Sequence, residues 1–304
     1  MQVGIIGLGR MGSGIAKKLN KEGYDVLAWN RSPEPAQDLK SKISNLKIAE
    51  SIRDLVKKLQ KPRVIWIMVP QGKPTDEVLS EVQKYVQEGD IVIDGGNAHY
   101  KDTDKRYKNF QKSGIRFLGI GVSGGVHGEK NGYALMAGGD KSAYDLVHSL
   151  LKTLSDPSGS FDYFGEGGAG HVVKMVHNGI EYGMMQSIGE GFEVLKKSPY
   201  KFNLLKIAKI WQKGTIISSF LIDRAKDALQ EDSELSRISG IIPRGGEGDW
   251  TVATAKEEKV KVRIIEDAVE YRKKSETDKK IQDSFTAKMI NALRGAFGGH
   301  EVKR

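Results

Sequence analysis

The 304-residue chain is long enough for two domains, and its 38% hydrophobic and 29% charged residues are typical of a soluble globular protein. Because it contains no cysteine, disulfides, zinc–thiolate sites and thiol nucleophiles are excluded. The net charge of +9 would suit nucleic acid or anionic small molecules, but dispersed lysines favour a solvated surface. No long apolar run and no signal peptide are visible, so we expect a cytoplasmic protein without nucleic-acid or membrane partners.

Apolar strand-like runs alternate with amphipathic helix-like segments in the first half of the chain. The runs read, in order, VGIIG, YDVLAW, RVIWIMV, DIVID and IRFLGI. This alternation predicts βαβ units, and hence an α/β Rossmann-type, doubly wound parallel sheet with helices on both faces.

The pattern becomes helical from about Phe161 onward, where the strand-like runs stop. We predict helices over residues 170–196, 203–213, 215–230 and 252–270, and a last helix from about 277 to 295. We place the domain boundary near Gly165–Gly170. The expected domains are therefore an NAD(P)-binding Rossmann domain over residues 1–167 and an all-α domain over residues 168–304, for substrate binding and dimerisation, with a C-terminal tail.

A glycine-rich turn follows the first strand. Its sequence GLGRMG, from Gly7 to Gly12, has the G-x-G-x-x-G spacing. The first glycine permits the tight turn and the second lets a pyrophosphate approach the backbone. The third lets the helix pack on the strand with its N–H groups toward the phosphates. Its position in the first βαβ unit predicts dinucleotide binding.

The end of the second strand bears on which dinucleotide binds. An NAD-binding fold usually has Asp or Glu there for the ribose hydroxyls, whereas this chain has Asn30, Arg31 and Ser32. A guanidinium can grip a 2′-phosphate through a two-pronged contact, so we favour NADP, with NAD as the other candidate. Alternatively, Arg31 points only into solvent. The predicted cofactor-binding residues are Gly7, Gly9, Arg10, Met11, Gly12, Asn30, Arg31, Ser32, Val69, Pro70 and Asn97.

The predicted helix HVVKMVHNGIEYGMM, which starts at His171, carries unusually varied polar side chains. At about 100° per residue these side chains form one stripe, with Val172, Val173, Val176, Ile180 and Met184 on the opposite side. The polar residues are Lys174, His177, Asn178, Glu181 and Tyr182. Solvated faces usually repeat Lys and Glu, whereas this one mixes titratable and hydrogen-bonding types, which favours a functional face over a surface stripe.

Two residues of this stripe are suited to proton transfer. Lys174 lies in the first turns of the helix, where the helix dipole and partial desolvation disfavour the ammonium form, so that it can act as a base. Glu181 lies about two turns further along the same face. A bound molecule of a few carbons could touch both, which supplies a base and an acid for one substrate.

Several motifs occur in an order that resembles one known family. GAGHVVKMVHNGIEYG, IDGGN (residues 93–97) and GVSGG (121–125) are similar to segments of decarboxylating 6-phosphogluconate dehydrogenases. Arg272 in AVEYRKKS matches that family's arginine in the helical domain, and Arg294 and His300 match its C-terminal R-x-x-x-x-x-H. The resemblance runs the full length of the chain and is to the short form of the family, with one helical unit where longer members have two.

The resemblance implies oxidative decarboxylation of 6-phosphogluconate to ribulose 5-phosphate without a metal. Lys174 would take the proton of the 3-hydroxyl while hydride passes from C3 to the nicotinamide, and Glu181 would protonate C1 of the enediol formed after carbon dioxide leaves. The implied ligands of the carboxylate and hydroxyls are Asn97, Ser123, Gly124, Gly125, His177 and Asn178. Those of the phosphate are Tyr182, Arg272, Arg294 and His300. The resemblance takes the last two from a neighbouring subunit, which implies a homodimer or a tetramer.

The chain departs from the family's pattern at two places. The loop PRGGEGDW has Gly245 and Asp249 where long-form relatives have lysines near the phosphate, so it lacks that contact, and Arg244 is the candidate to compensate. His127 stands where longer members often have an acid.

Two other functions stay open. A β-hydroxyacid dehydrogenase of the same superfamily, acting on a small acid such as 3-hydroxyisobutyrate, would share the Rossmann half and the helix lysine. Such enzymes generally carry a serine–threonine segment in place of DGGNAHY and do not need the tail with Arg294 and His300. A non-catalytic dinucleotide sensor or nucleic-acid binder would use the positive charge, but the basic residues form no stripe interleaved with aromatic residues.

Overall fold

A computed structural model describes residues 1–43 and 45–302, and its N-terminal half contains eight β-strands. They are β1 (Gln2–Ile6), β2 (Asp25–Trp29), β3 (Lys47–Ile48), β4 (Val64–Ile67), β5 (Ile91–Asp94), β6 (Arg116–Ser123), β7 (Ala134–Gly139) and β8 (Phe161–Tyr163). They form one sheet in the order β3-β2-β1-β4-β5-β6-β7-β8. All neighbouring strands are parallel except β6 and β7, which pair antiparallel.

Helices connect most of these strands. They are α1 (Arg10–Lys21), α2 (Pro33–Lys42), α3 (Ile52–Lys58), α4 (Lys73–Gln83), α5 (Tyr100–Gln111), α6 (Gly128–Asn131) and α7 (Lys141–Leu154). Successive strand residues belong to two different apolar clusters: Ile5 and Trp66 to one, and Ile6 and Ile65 to the other. Since neighbouring strand side chains point to opposite faces, both faces of the sheet are covered, and the predicted doubly wound α/β fold is confirmed.

The five predicted strands correspond to β1, β2, β4, β5 and β6, and the other three were not predicted. β3 has two residues, and β7 reads ALMAGG, in which the paired glycines weaken the strand pattern. β8 has three residues, of which none is fully buried. The apolar pattern therefore identified the centre of the sheet and missed its short or glycine-containing outer strands.

The C-terminal part is helical. Its helices are α8 (Ala169–Lys197), α9 (Leu204–Trp211), α10 (Phe220–Glu231), α11 (Glu247–Glu257), α12 (Arg263–Ser275), α13 (Lys279–Asp283) and α14 (Phe285–Gly298). This confirms the helical second half, with three corrections. The helix predicted over residues 215–230 begins only at Phe220. The predicted helix 252–270 is broken between α11 and α12, where Lys259 has a φ of +59°. The predicted last helix is broken at Ser284, whose ψ of 147° ends α13 and whose hydroxyl caps α14.

The chain divides into two compact units, Met1–Met175 and the residues from Val176 onward, so that the division falls inside α8. The boundary expected from the sequence lies a few residues earlier and stays a prediction. The second unit has its own apolar core, which includes Met185, Phe192, Leu221 and Leu293. Among the described helices, none is both long and apolar enough to span a membrane.

Candidate active site

The glycine-rich turn between β1 and α1 has the geometry that a dinucleotide requires. Gly7 has a φ of +95°, and a Cβ there would overlap the carbonyl oxygen of Met68. A Cβ on Gly12 would overlap the carbonyl oxygen of Gly7, so only glycine lets α1 approach β1 this closely. By contrast, a Cβ on Gly9 would meet no atom within 4 Å. The backbone at Gly9 is therefore open to an approaching phosphate, at the exposed start of α1 beside Arg10 and Met11.

The residues after β2 have separate tasks. The Asn30 side chain accepts a hydrogen bond of 2.8 Å from the Leu8 N–H and donates one of 2.9 Å to the Ser32 carbonyl oxygen. It thereby fastens the end of β2 to the glycine turn. The Arg31 side chain is exposed and, within residues 1–43 and 45–302, has no hydrogen-bond or ion-pair partner. Its guanidinium is thus available to an anion from outside the chain.

The predicted cofactor residues after β4 lie against the glycine turn. The Val69 side chain is the nearest side chain to a Cβ built on Gly7. The carbonyl oxygen of Pro70 accepts a hydrogen bond of 2.9 Å from the Thr75 hydroxyl. The Val69 side chain therefore lies along one side of the glycine turn, and the hydrogen bond from Thr75 holds the backbone at Pro70.

Asn97, in the loop after β5, has a φ of +53°, and two hydrogen bonds hold its side chain in place. Its Oδ1 accepts a hydrogen bond of 2.8 Å from the Val122 N–H, and its Nδ2 donates one of 3.1 Å to the Val122 carbonyl oxygen. One N–H and one lone pair of the amide remain for a ligand. The pairing holds the loop beside Ser123, which ends β6, and the next residues, Gly124 and Gly125, have φ values of +118° and +53°.

A buried ion-pair network supports this loop, and it was not predicted from the sequence. Asp94, the last residue of β5, is fully buried and accepts 2.9 Å from Arg106 Nη1 and 3.1 Å from the Gly96 N–H. Arg106 also pairs with Asp76 at 2.7 Å. The sequence feature that could have predicted this network is an aspartate that ends an apolar strand directly before two glycines. The network fixes the loop that carries Asn97.

Lys174 is buried against the sheet of the first unit. It is 5% exposed, and a Cβ built on Gly121 in β6 would overlap the Cβ of Lys174. The start of α8 is fixed by two further contacts: Gly168 N–H donates to Asp104 Oδ1 at 2.7 Å, and His171 Nδ1 lies 2.7 Å from Thr103 Oγ1. Burial lowers the pKa of His171, and the negative charge of Asp94 opposes that shift. The lysine therefore projects from a rigid helix start.

The rest of the polar stripe lies in the second unit. His177 Nδ1 is 2.9 Å from Asn178 Oδ1 and 3.9 Å from Glu181 Oε2. Tyr182 is buried. The opposite, apolar side of α8 is instead exposed at Val176 (41%), Ile180 (53%) and Met184 (42%). The hydrophobic pattern of this helix therefore does not predict which side faces inward.

Two arginines lie buried in the second unit. The guanidinium of Arg272 stacks on the Tyr182 ring at 3.3 Å from its centroid, and the Tyr182 hydroxyl accepts a hydrogen bond of 3.2 Å from the Gly245 N–H. Burial lowers the pKa of Arg272 to about 10, so it stays charged at neutral pH. Arg294 is also buried and donates to Asn291 Oδ1 at 3.1 Å. His300 lies beyond the end of α14 and is exposed.

The loop that departs from the family's pattern is held by carboxylates. Arg244 donates to Glu276 Oε1 at 3.0 Å and lies 3.6 Å from Asp249 Oδ1. Its guanidinium is therefore engaged within the chain, which weakens its role as a substitute for the missing lysines. His127 ends a single 3-10 turn, Gly125–His127, and nothing in its surroundings explains why it replaces an acid.

The candidate site residues divide between the two units. Lys174 and the residues predicted to bind the cofactor belong to the first, together with Ser123, Gly124 and Gly125. His177, Asn178, Glu181, Tyr182, Arg272, Arg294 and His300 belong to the second. Within the described part of the chain, no group of three or more His, Asp or Glu side chains is placed to hold a metal ion.

Comparisons with known proteins relate both halves to one family. Residues 2–165 match the NAD binding domain of 6-phosphogluconate dehydrogenase, and residues 170–284 match the C-terminal domain of 6-phosphogluconate dehydrogenase. YqeC of Bacillus subtilis, provisionally named a 6-phosphogluconate dehydrogenase, is 38% identical over 100% of both chains. The NAD-dependent, decarboxylating 6-phosphogluconate dehydrogenase of Haloferax volcanii is 36% identical over 100% of this chain and 99% of its own.

Longer relatives and solved structures extend this result. The NADP-dependent, decarboxylating 6-phosphogluconate dehydrogenase of Bacillus subtilis is 37% identical over 88% of this chain and 60% of its own. The Plasmodium falciparum 6-phosphogluconate dehydrogenase, solved with NADP and with 6-phosphogluconate, has a TM-score of 0.83 at 29% identity, covering 96% of this chain and 70% of its own. Mycobacterium tuberculosis 3-hydroxyisobutyrate dehydrogenase shares the fold, with a TM-score of 0.73 at 19% identity over 96% of this chain and 99% of its own.

Proposed function

The chain belongs to the 6-phosphogluconate dehydrogenase family, and from this premise we propose that it oxidises and decarboxylates 6-phospho-D-gluconate to D-ribulose 5-phosphate and carbon dioxide, with NADP as the preferred acceptor. The observation that carries the proposal is the pair of buried arginines, Arg272 and Arg294, beside the helix that carries Glu181. Two buried guanidinium groups suit a phosphate dianion.

The glycine turn and Arg31 support the choice of cofactor. Gly7, Gly9 and Gly12 leave the backbone open to a pyrophosphate, and the end of β2 carries no carboxylate to repel a 2′-phosphate. A nicotinamide dinucleotide held at this turn would supply the acceptor for the hydride that leaves C3 of the substrate. Relatives named above use NAD or NADP, so the preference for NADP rests on the exposed, unengaged guanidinium of Arg31.

Lys174 and Glu181 have the chemistry that the reaction needs. Neutral Lys174 takes the proton from the 3-hydroxyl as the C3–H bond breaks, which forms the 3-ketone. That ketone accepts the electron pair of the C1–C2 bond when carbon dioxide leaves, and the product is an enediol. Glu181 then protonates the former C2 of the substrate, which is C1 of the enediol, to complete ribulose 5-phosphate. The burial of Lys174 at the rigid start of α8 supports its role as the base.

The other polar residues predicted from the sequence are assigned to substrate binding. Asn97, with one N–H and one lone pair left, is assigned to the carboxylate and hydroxyls. Ser123, Gly124, Gly125, His177 and Asn178 complete that set. Tyr182, Arg272, Arg294 and His300 are assigned to the phosphate end.

A homodimer, or a tetramer built from dimers, is part of the proposal. Val176, Ile180 and Met184 form an exposed apolar side of α8, and Ile264, which neighbours Gly183, is 67% exposed. Contiguous apolar surface of this kind is typical of protein interfaces. His300 is exposed beyond α14 and is the tail residue that we propose reaches a neighbouring subunit.

The test compares an acid that carries a phosphate with two acids that do not. Purified protein receives 6-phosphogluconate, gluconate or 3-hydroxyisobutyrate with NADP or NAD, and reduced nicotinamide and carbon dioxide are both measured. We expect equal amounts of both products from 6-phosphogluconate only, and faster with NADP. Reduction of the cofactor by 3-hydroxyisobutyrate without carbon dioxide would instead favour the β-hydroxyacid dehydrogenase reaction, whose small substrate has no phosphate for the two buried arginines.

A further inference from the structure

Helix α5 holds the start of α8 through two side chains that have no part in the proposed mechanism. Thr103 is fully buried, and its Oγ1 lies 2.7 Å from Nδ1 of His171 in the first turn of α8. The next residue of α5, Asp104, accepts a hydrogen bond of 2.7 Å from the Gly168 N–H, directly before α8 begins. Both contacts are made just before Lys174 along the chain.

Two glycines of β6 bring these segments together. A Cβ built on Gly119 would lie 2.5 Å from Cγ2 of Thr103 and 3.3 Å from Nδ1 of His171. A Cβ built on Gly121, on the same face of the strand, would lie 2.3 Å from the Cβ of Lys174. His171 and Lys174 are about one helical turn apart. The contact between hydroxyl and imidazole and the proposed base therefore rest on neighbouring positions of one strand.

The hydroxyl of Thr103 contacts the His171 ring more closely than any other group recorded for it. It lies 2.7 Å from Nδ1 of His171 and 3.3 Å from the carbonyl oxygen of His99. Since His171 is 1% exposed, water does not readily replace a partner that it loses. Removal of the hydroxyl would therefore deprive a buried imidazole nitrogen of its partner, one turn before Lys174.

Proton transfer by Lys174 depends on where the helix places it. A general base must lie within hydrogen-bond reach of the proton that it takes, and a displacement of about 1 Å can lower the rate about 100-fold. The lysine side chain has a flexible four-carbon stem, so the backbone that carries it must be fixed. The contacts from α5 fix that backbone.

We infer that Thr103 and Asp104 are positioning residues, which set the start of α8 so that Lys174 reaches the substrate. The inference rests on the proposed function, in which Lys174 is the base. Thr103 acts through His171, and Asp104 acts through Gly168. Because neither is assigned to substrate or cofactor, their removal should slow the chemical step without weakening the binding of either ligand.

Two substitutions at Thr103 separate the hydroxyl from the packing. Thr103→Val keeps a methyl group against Gly119 and removes the hydroxyl, whereas Thr103→Ser keeps the hydroxyl. Thr103→Val should lower kcat for 6-phosphogluconate about 10- to 100-fold, with the KM values for 6-phosphogluconate and NADP within about threefold of wild type. Thr103→Ser should keep most of the activity. Thr153→Val, which removes a hydroxyl from α7 in the same unit, should match the wild type.

A kinetic isotope effect shows which step has slowed. In the proposed reaction the C3–H bond breaks as Lys174 takes the hydroxyl proton. With 6-phosphogluconate deuterated at C3, the isotope effect on kcat of Thr103→Val should therefore be at least as large as that of wild type. A smaller isotope effect would show that another step limits the variant, which would overturn the inference.

Asp104 gives a second test that does not depend on the folding of Thr103→Val. Asp104→Asn keeps an oxygen that can accept from the Gly168 N–H, whereas Asp104→Ala keeps none. We expect Asp104→Ala to lower kcat about tenfold and Asp104→Asn to retain it. Wild-type kcat in Thr103→Val and Asp104→Ala would overturn the inference. Equal losses in Thr103→Val and Thr103→Ser would assign the effect to packing and would also overturn it.

Amide hydrogen exchange separates this inference from the proposed function, because it requires no substrate. Exchange is followed by mass spectrometry over residues 168–175. Thr103→Val and Asp104→Ala should exchange faster there than wild type and Thr153→Val. Unchanged exchange would reject the role of α5 in holding α8, whatever the protein oxidises. Wild type that fails to oxidise 6-phosphogluconate would instead reject the proposed function.

Discussion

The two units are proposed to bind phosphate by different means. In the first, the contacts come from backbone freed by Gly7, Gly9 and Gly12 and from the exposed side chain of Arg31. In the second, Arg272 and Arg294 are buried among packed helices. An exposed guanidinium keeps its hydration when no ligand is bound, so it costs the folded chain little free energy. A buried guanidinium loses its hydration when the chain folds.

Exposed and buried guanidinium groups affect the stability of the folded chain differently. A buried charged group raises the free energy of the folded chain. Its removal should therefore change activity strongly, but should lower the free energy of unfolding by less than removal of a core apolar side chain does. Exposed groups are nearly neutral to stability and contribute modestly to binding. Variants of buried and exposed residues should therefore separate into two classes when activity and unfolding are measured together.

The largest expected effect is at Lys174, the buried residue assigned as the base. Lys174→Met should lower kcat for 6-phosphogluconate by about 10²- to 10⁴-fold, the usual contribution of a general base. Binding of NADP, followed by calorimetry, should be unchanged. Lys57→Met, at an exposed position on α3, is the matched control and should keep full activity. Normal kcat in Lys174→Met would place the base elsewhere.

Arg272→Met probes the buried arginine itself. The KM for 6-phosphogluconate should rise about 10- to 100-fold, since hydrogen bonds to charged groups contribute about 1.5–3 kcal/mol. The free energy of unfolding without ligand should fall little or rise, because methionine fills the space without a buried charge. Denaturant titration in the absence of substrate measures this. A loss of stability as large as that of a cavity in the core would show that Arg272 supports the fold instead.

His171 should make stability depend on pH. Burial holds its pKa below the ordinary value of 6.5, so below that pH the unfolded chain binds a proton that the folded chain does not. Stability is therefore complete above about pH 6.5 and is lost as the pH falls.

The free energy of unfolding at pH 7.5 and 5.5 measures the contribution of His171. His171→Asn should lose about 1–3 kcal/mol at pH 7.5 through the hydrogen bond with Thr103, and its stability should depend less on pH than that of wild type. His148→Asn, at an exposed position on α7, should keep the wild-type dependence. The same pH slope in His171→Asn and wild type would assign the titration to another group.

The sequence predicted local features well and long-range ones poorly. The glycine turn, the alternation of strands and helices and the helix carrying Lys174 depend on neighbouring residues, so their patterns were readable. The pairing of Asn97 with Val122 and the network of Asp94, Arg106 and Asp76 join distant segments, and composition does not reveal such partners. Residue patterns can show that a side chain is polar, but not which buried partner it will find.

Helix α8 shows a second limit. Its apolar side was clear from the sequence, yet Val176, Ile180 and Met184 are exposed and Lys174 and Tyr182 are buried. A hydrophobic stripe marks the side that avoids water, and in an assembly that side can meet another chain instead of the core. The sequence therefore identifies the polar and the apolar side of a helix, but it does not predict whether the core or another chain covers each side.

We expect the smallest effect on activity from substitution of Arg31, and this substitution distinguishes most directly between NADP and NAD. Its guanidinium is exposed and has no partner among residues 1–43 and 45–302, so Arg31→Ala should leave the free energy of unfolding unchanged. The KM for NADP should rise up to about tenfold, because one solvent-exposed charged contact is lost, while the KM for NAD should stay within about twofold. Lys40→Ala, an exposed cation on α2, controls for general charge and should change neither value. Steady-state kinetics with both cofactors, repeated at high salt, measures the effect. An equal rise of the two KM values for NAD and NADP would mean that Arg31 does not contact the 2′-phosphate. The exposed guanidinium would then have no assigned role in phosphate binding.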